Sequence, residues 1–140
     1  MKRYTVNCPY CGAEAILKPA FKVFGSHAND VRQHIYVCSN WPACDAYVFA
    51  HQHDASAMGT LANKELRQKR IQAHKALAAY QKATKMQKWA AYIWLEGKLD
   101  LTEDSMHIGL FSSADCDRAI DLLNKELDSF KLSIPGRAAV

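Results

Sequence analysis

The sequence predicts an α+β protein: a small antiparallel β unit at the N-terminus followed by about three α-helices. Three observations carry that prediction. Two cysteine pairs bracket β-rich segments in the first fifty residues, the hydrophobic period lengthens to that of a helix after residue 60, and cationic charge gathers where the period changes. With 140 residues, the chain has room for one ordinary domain, or for a small module with a helical extension.

In chain order, Ala13-Glu14-Ala15-Ile16-Leu17 reads as the first strand, closed by Pro19. His34-Ile35-Tyr36-Val37 and Ala46-Tyr47-Val48-Phe49 read as two more, and residues 25–30 have the composition of a hairpin loop. His51 to Thr60 reads as a polar link, which sets the boundary between a β unit at 1–58 and a helical region at 59–140. A first helix is predicted over 61–82, with Leu66, Ala73, Leu77 and Tyr80 at intervals of seven, four and three. Thr84 and Gln87 have the spacing of a capping box and predict a second helix over 85–96. It carries Met86, Trp89, Ala90 and Ile93 on one face and stops near Gly97. A third helix is predicted over 113–131, capped by Ser112 or Ser113, with Cys116, Ile120, Leu123, Leu127 and Phe130 as its apolar stripe and Pro135-Gly136 beyond its end.

The cysteines carry the chemistry. In Cys8-Pro9-Tyr10-Cys11-Gly12, two residues separate thiols that a tight turn presents to one metal, with Gly12 suited to a positive φ. The partner pair closes Cys38-Ser39-Asn40-Trp41-Pro42-Ala43-Cys44 around a Pro-containing turn. Four thiolates, from Cys8, Cys11, Cys38 and Cys44, complete a tetrahedral Zn²⁺ shell with no position left for water, so the metal is expected to be structural. Unrelated thiols or disulfides are the competing reading, and the Gly and Pro turns beside each pair favour metal. Met1-Lys2-Arg3-Tyr4 leads into no apolar run, and no stretch reaches the roughly 18 apolar residues of a membrane span. A cytoplasmic, reducing setting is therefore expected, where paired cysteines bind metal more often than they form disulfides. Cys116 falls on an apolar stripe and is expected in the core.

The run Cys38 to Cys44, preceded by Cys8 to Gly12, resembles the C-terminal zinc ribbons of bacterial type IA topoisomerases, whose second half reads Cys-Ser-Asn-(Tyr or Trp)-Pro-x-Cys. That resemblance covers residues 8–49, with a longer spacing between Cys11 and Cys38 than is usual there, and it implies binding of single-stranded DNA. The continuation Gly59-Thr60-Leu61-Ala62-Asn63-Lys64-Glu65-Leu66-Arg67, then Arg70, His74 and His107-Ile108-Gly109 with Phe111, resembles a family of small zinc-finger-containing proteins of phages and prophages. This second resemblance covers most of the chain and implies the architecture.

The net charge of +4 is unevenly spread: residues 1–60 carry +1, residues 61–88 carry +7, and residues 89–140 carry −4. A cationic middle suits a polyanion. Arg67, Arg70 and Lys75 are the expected phosphate contacts, and Tyr10 and Trp41, on the cysteine turns, the expected stacking rings for unpaired bases. The function predicted is nucleic-acid binding, with single-stranded DNA or junctions favoured. The alternative is an adaptor that docks on a host protein of the nucleic-acid machinery through its acidic helical tail with Trp89, Trp94 and Phe130. His51 and His53 read as a solvated linker, and His74 and His107 as structural. No carboxylates are placed with histidine as a nuclease metal site needs, so an enzyme is not expected.

Overall fold

The computed structural model describes residues 5–25, 30–101 and 108–133. Residues 26–29 of the expected hairpin loop, His107 and the expected stop at Pro135-Gly136 lie outside these. The architecture is α+β, a small antiparallel sheet followed by helices. The chain divides into two compact units, Met1–Arg67 and Gln68–Val140.

In the first unit, β1 (Ala15–Pro19), β2 (His34–Cys38) and β3 (Tyr47–Phe49) form an antiparallel sheet in that order. Leu17 and Val48 flank Tyr36, while Tyr47 lies opposite Val37 and Phe49 opposite Ile35. Alternation sends Tyr36 and Cys38 to one face and Ile35 and Val37 to the other, and all four are buried because both faces are covered. Tyr36 and Cys38 meet Cys8, Ala46, Ala50 and Leu61. Ile35 and Val37 meet Ala20 and an aromatic group of Phe24, Trp41, Tyr47 and Phe49. The sequence pattern predicts no element after Pro19; a five-residue helix, α1 (Ala20–Phe24), stands there and brings Ala20 and Phe24 onto the second face.

The expected polar link at 51–60 instead folds back on the sheet. His51 N–H donates to the Ser56 carbonyl at 2.7 Å, Ala55 N–H to the His51 carbonyl at 2.9 Å, and Ala50 bridges Ala57. The Tyr36 hydroxyl donates to the Ala55 carbonyl, and Tyr47 and Ala62 exchange two backbone bonds of 3.1 Å. These bonds, with Leu61 buried under the sheet, carry the first unit beyond the expected boundary at 58 to Arg67.

α2 (Lys64–Thr84) starts three residues later than expected, because residues 61 and 62 belong to the β unit and Asn63 is the cap. Asn63 Oδ1 accepts the Leu66 N–H at 3.0 Å. The Thr84–Gln87 capping box does not form: Thr84 ends α2 with its hydroxyl on the Tyr80 carbonyl, and Gln87 caps α3 (Lys88–Leu99) without a side-chain bond. Gly97 lies inside α3, which ends at Asp100 in the left-handed region. α4 (Ser113–Ser133) opens on a reciprocal box, Ser112 Oγ accepting the Asp115 N–H at 3.1 Å and Asp115 Oδ2 accepting the Ser112 N–H at 3.4 Å.

The second unit buries Ala73, Leu77 and Tyr80 of α2, Ala91, Leu95 and Leu99 of α3, and Cys116, Ala119 and Leu123 of α4, with Ile108 and Phe111 ahead of α4. Cys116 is core, as expected. On α3 the buried face is not the apolar face singled out in the sequence, which carries Trp89 at 68% exposure and Ile93 at 60%. Its sequence is apolar on both sides, so periodicity alone does not choose between them. Among the described residues, no helix is long and apolar enough to cross a membrane.

Arg70 departs from the expected phosphate-facing role. It is buried, and its guanidinium donates to the Phe111 carbonyl through Nε at 3.2 Å and through a terminal nitrogen at 3.1 Å. Arg70→Ala is therefore expected to lower the stability of the helical unit by about 1–3 kcal/mol, because it strips donors from a buried carbonyl. Thermal or urea unfolding followed by helical circular dichroism measures this. A change within about 0.5 kcal/mol, as for a free surface side chain, contradicts the assignment.

Candidate metal centre

Two turns present the four cysteines. Cys8 N–H bonds to the Ala13 carbonyl at 2.8 Å and Gly12 N–H to the Cys8 carbonyl at 2.9 Å, a loop that Gly12 closes with φ 77°. The second turn leaves the end of β2: Trp41 N–H reaches the Cys38 carbonyl at 2.9 Å and Cys44 N–H the Asn40 carbonyl at 3.0 Å. Cys38 N–H bonds to the Ala46 carbonyl at 3.0 Å, so the turn rests on the sheet.

The sulfurs of Cys8, Cys11, Cys38 and Cys44 all lie within 4.8 Å of one another, with Cys8–Cys44 at 3.6 Å and Cys11–Cys38 at 3.3 Å. Tetrahedral zinc with bonds of about 2.3 Å places its sulfurs about 3.8 Å apart, inside this range. The donor set is all thiolate and fills all four positions, so one structural zinc fits. The Asn40 side-chain amide donates to Cys11 Sγ at 3.4 Å, and Asn40 N–H approaches Cys38 Sγ at 3.5 Å. Such second-layer donors orient thiolates and spread their charge.

The thiols are tuned in opposite directions. Cys11 is held down to about 6, first by the Ala13 N–H and then by the Asn40 amide. Burial pushes Cys38 up to about 12. For Cys44 the Ala46 N–H pulls downward, but burial and the Cys8 and Cys11 thiols leave it raised.

The other sequence-predicted residues take varied positions. Tyr10 is 46% exposed, and its hydroxyl oxygen accepts the Asn63 N–H at 3.1 Å. Trp41 is half-buried in the ribbon's aromatic group, edge-on to Phe24 at 6.2 Å and to Tyr47 at 5.9 Å. Arg67 is bound to the ribbon instead of projecting from the helix: it donates to the Asp45 and Ala62 carbonyls at 2.6 Å each and lies 4.1 Å over the Tyr47 ring. Lys75 is exposed. Sequence reasoning missed Asp45, whose carboxylate accepts the Lys64 N–H at 3.1 Å. Its position directly after Cys44 was the available signal.

Residues 4–126 match a protein-family model described as a zinc-finger-containing domain. No curated protein and no solved structure matches the chain significantly.

Purified protein is expected to hold one zinc per chain, and Cys38→Ser to lose both the metal and the β-sheet signal. A zinc-free variant that keeps its sheet contradicts the site. Zinc binds thiolates in competition with protons, so affinity falls as pH falls. The raised Cys38 and Cys44 each release a proton on binding near neutrality, and Cys11 joins them below about pH 6. Chelator competition across pH 5 to 8 is expected to show log affinity falling by roughly one unit per pH unit for each proton displaced, and more steeply at the acid end. A flat profile contradicts four-thiolate ligation.

Proposed function

The chain belongs to the zinc-finger-containing domain family, and from that premise we propose that it is a nucleic-acid-binding protein with no catalytic role, favouring single-stranded DNA or DNA junctions. The observation that carries this reading is the fate of the charge in the cationic stretch. Lys75, Lys82, Lys85 and Lys88 are exposed, and among the described residues none is in an ion pair. Uncompensated lysines of one sign favour a polyanion through counterion release. Lys75 and Lys82, seven residues apart on α2, share one helix face. Arg67 and Arg70, with their guanidinium donors engaged on backbone carbonyls, are left out of this surface.

In the ribbon unit, the exposed Tyr10 ring on the first cysteine turn is the better placed for an unpaired base. Trp41 is engaged with Phe24 and Tyr47, which makes it first a core residue of the ribbon. The likeness of the Cys38–Cys44 turn to topoisomerase ribbons supports single strands over duplex.

Fluorescence anisotropy with labelled single-stranded DNA, duplex DNA and RNA over a salt series tests the reading. Binding is expected to be tightest for the single strand and to weaken linearly in log salt. Lys75→Gln/Lys82→Gln is expected to flatten the slope by roughly 0.7 for each phosphate of the single strand that the variant no longer neutralises. Absence of binding to every nucleic acid at low salt defeats the proposal and leaves the adaptor reading.

A further inference from the structure

α3 is apolar on more of its circumference than the core uses. Ala91, Leu95 and Leu99 face inward, and Trp89 and Ile93, one turn apart, remain exposed on another side. The three tryptophans have different surroundings. Trp41 meets Phe24 and Tyr47, and Trp94 stacks on Tyr80 at 4.5 Å and 16°. Trp89 has no ring partner among the described residues. Exposure of 68% for so large a ring leaves an apolar face open to water without a structural return.

The charge around it says what that face accepts. Lys82 lies in the last turn of α2, Lys85 in the elbow with φ 59°, and Lys88 opens α3 directly before Trp89. All three are exposed, and among the described residues none is in an ion pair. A second copy of this chain seated on the same face would set lysines against lysines. A ligand carrying regularly spaced anions and flat rings complements both features. Stacking of each base on an aromatic face, beside cations that follow the backbone, is how single strands are held without sequence preference.

We infer that the α2–α3 elbow is a single-stranded nucleic-acid contact site, in which Trp89 stacks on an unpaired base while Lys82, Lys85 and Lys88 hold the adjoining phosphates. Ile93, one helical turn beyond, gives the next sugar or base an apolar floor. The inference rests on the nucleic-acid reading above and shares Lys82 with that face, but adds a stacking contact at Trp89 that neither the cysteine turns nor the Lys75–Lys82 face supplies.

The test uses the full-length, zinc-loaded chain with Trp41→Phe and Trp94→Phe, so that Trp89 alone reports. It is titrated with a thymidine oligonucleotide, an abasic strand of the same length, a blunt duplex and anionic phospholipid vesicles. Quenching by the thymidine strand, and much less by the abasic strand or duplex, is expected. In the otherwise native protein, Trp89→Ala is expected to weaken thymidine-strand binding roughly five- to a hundredfold, with abasic-strand affinity unchanged. Trp89→Phe, which keeps a ring, is expected to retain most of the affinity, and this pair decides the matter even if the single-tryptophan protein does not fold. Undiminished strand binding by Trp89→Ala overturns the elbow site and leaves the proposed function standing. Failure of the native protein to bind any nucleic acid removes both. Quenching by vesicles alone, or self-association abolished by Trp89→Ala, also overturns the inference and reassigns the face.

Discussion

Four sulfur atoms drawn within 4.8 Å of one another, with the Cys8 and Cys38 side chains buried, need a cation at their centre. Attraction between thiols alone is weak, and four clustered thiolates without a metal repel one another. A zinc ion turns the same cluster into a crosslink between two turns and the end of β2. The sheet depends on it, because β3 has three residues and the cores on its two faces are small. A unit of this size gains from metal ligation what it lacks in buried area. Cys38 joins the two contributions directly: it is a ligand, and it also belongs to the core under Tyr36.

From Cys44 the constraint passes to the next residue. The Asp45 side chain holds the Lys64 N–H and its carbonyl holds Arg67, while Arg67 lies over Tyr47 of β3. The first turn of α2 therefore belongs to the metal-bound unit in the same sense as the strands do. The cationic stretch divides into residues engaged within the protein and residues left exposed. The guanidiniums of Arg67 and Arg70, with several donors in a fixed fork, are engaged by backbone carbonyls, and Lys69 is held by Ser113 and Asp117, whereas Lys75, Lys82, Lys85 and Lys88 are exposed.

The metal site was legible in the sequence because ligand spacing and turn residues are local properties. The strands and the α4 cap at Ser112 were readable for the same reason. Elements decided by distant partners were not. The polar composition of residues 51–60 resembles a link, yet its backbone bonds go to Phe49 and to itself, and Tyr36 holds Ala55 from the sheet. Arg70 has the charge of a surface residue, and only the position of the Phe111 carbonyl reveals that it is buried. The face of α3 could not be chosen because both sides are apolar, and the Thr84–Gln87 pattern lost to the bond that Thr84 makes within its own helix. The first three turn on tertiary context that overrides or decides a local preference, and the last on a competition between two local bonds.

One metal, ligated by four sulfurs, organises the first unit. X-ray absorption at the zinc edge of the purified protein tests it most directly. A single shell of four sulfur scatterers at about 2.3 Å, with no nitrogen or oxygen contribution, is expected. A mixed shell, with light atoms at about 2.0–2.1 Å in place of one or more sulfurs, contradicts it and indicates that a histidine or solvent completes the site.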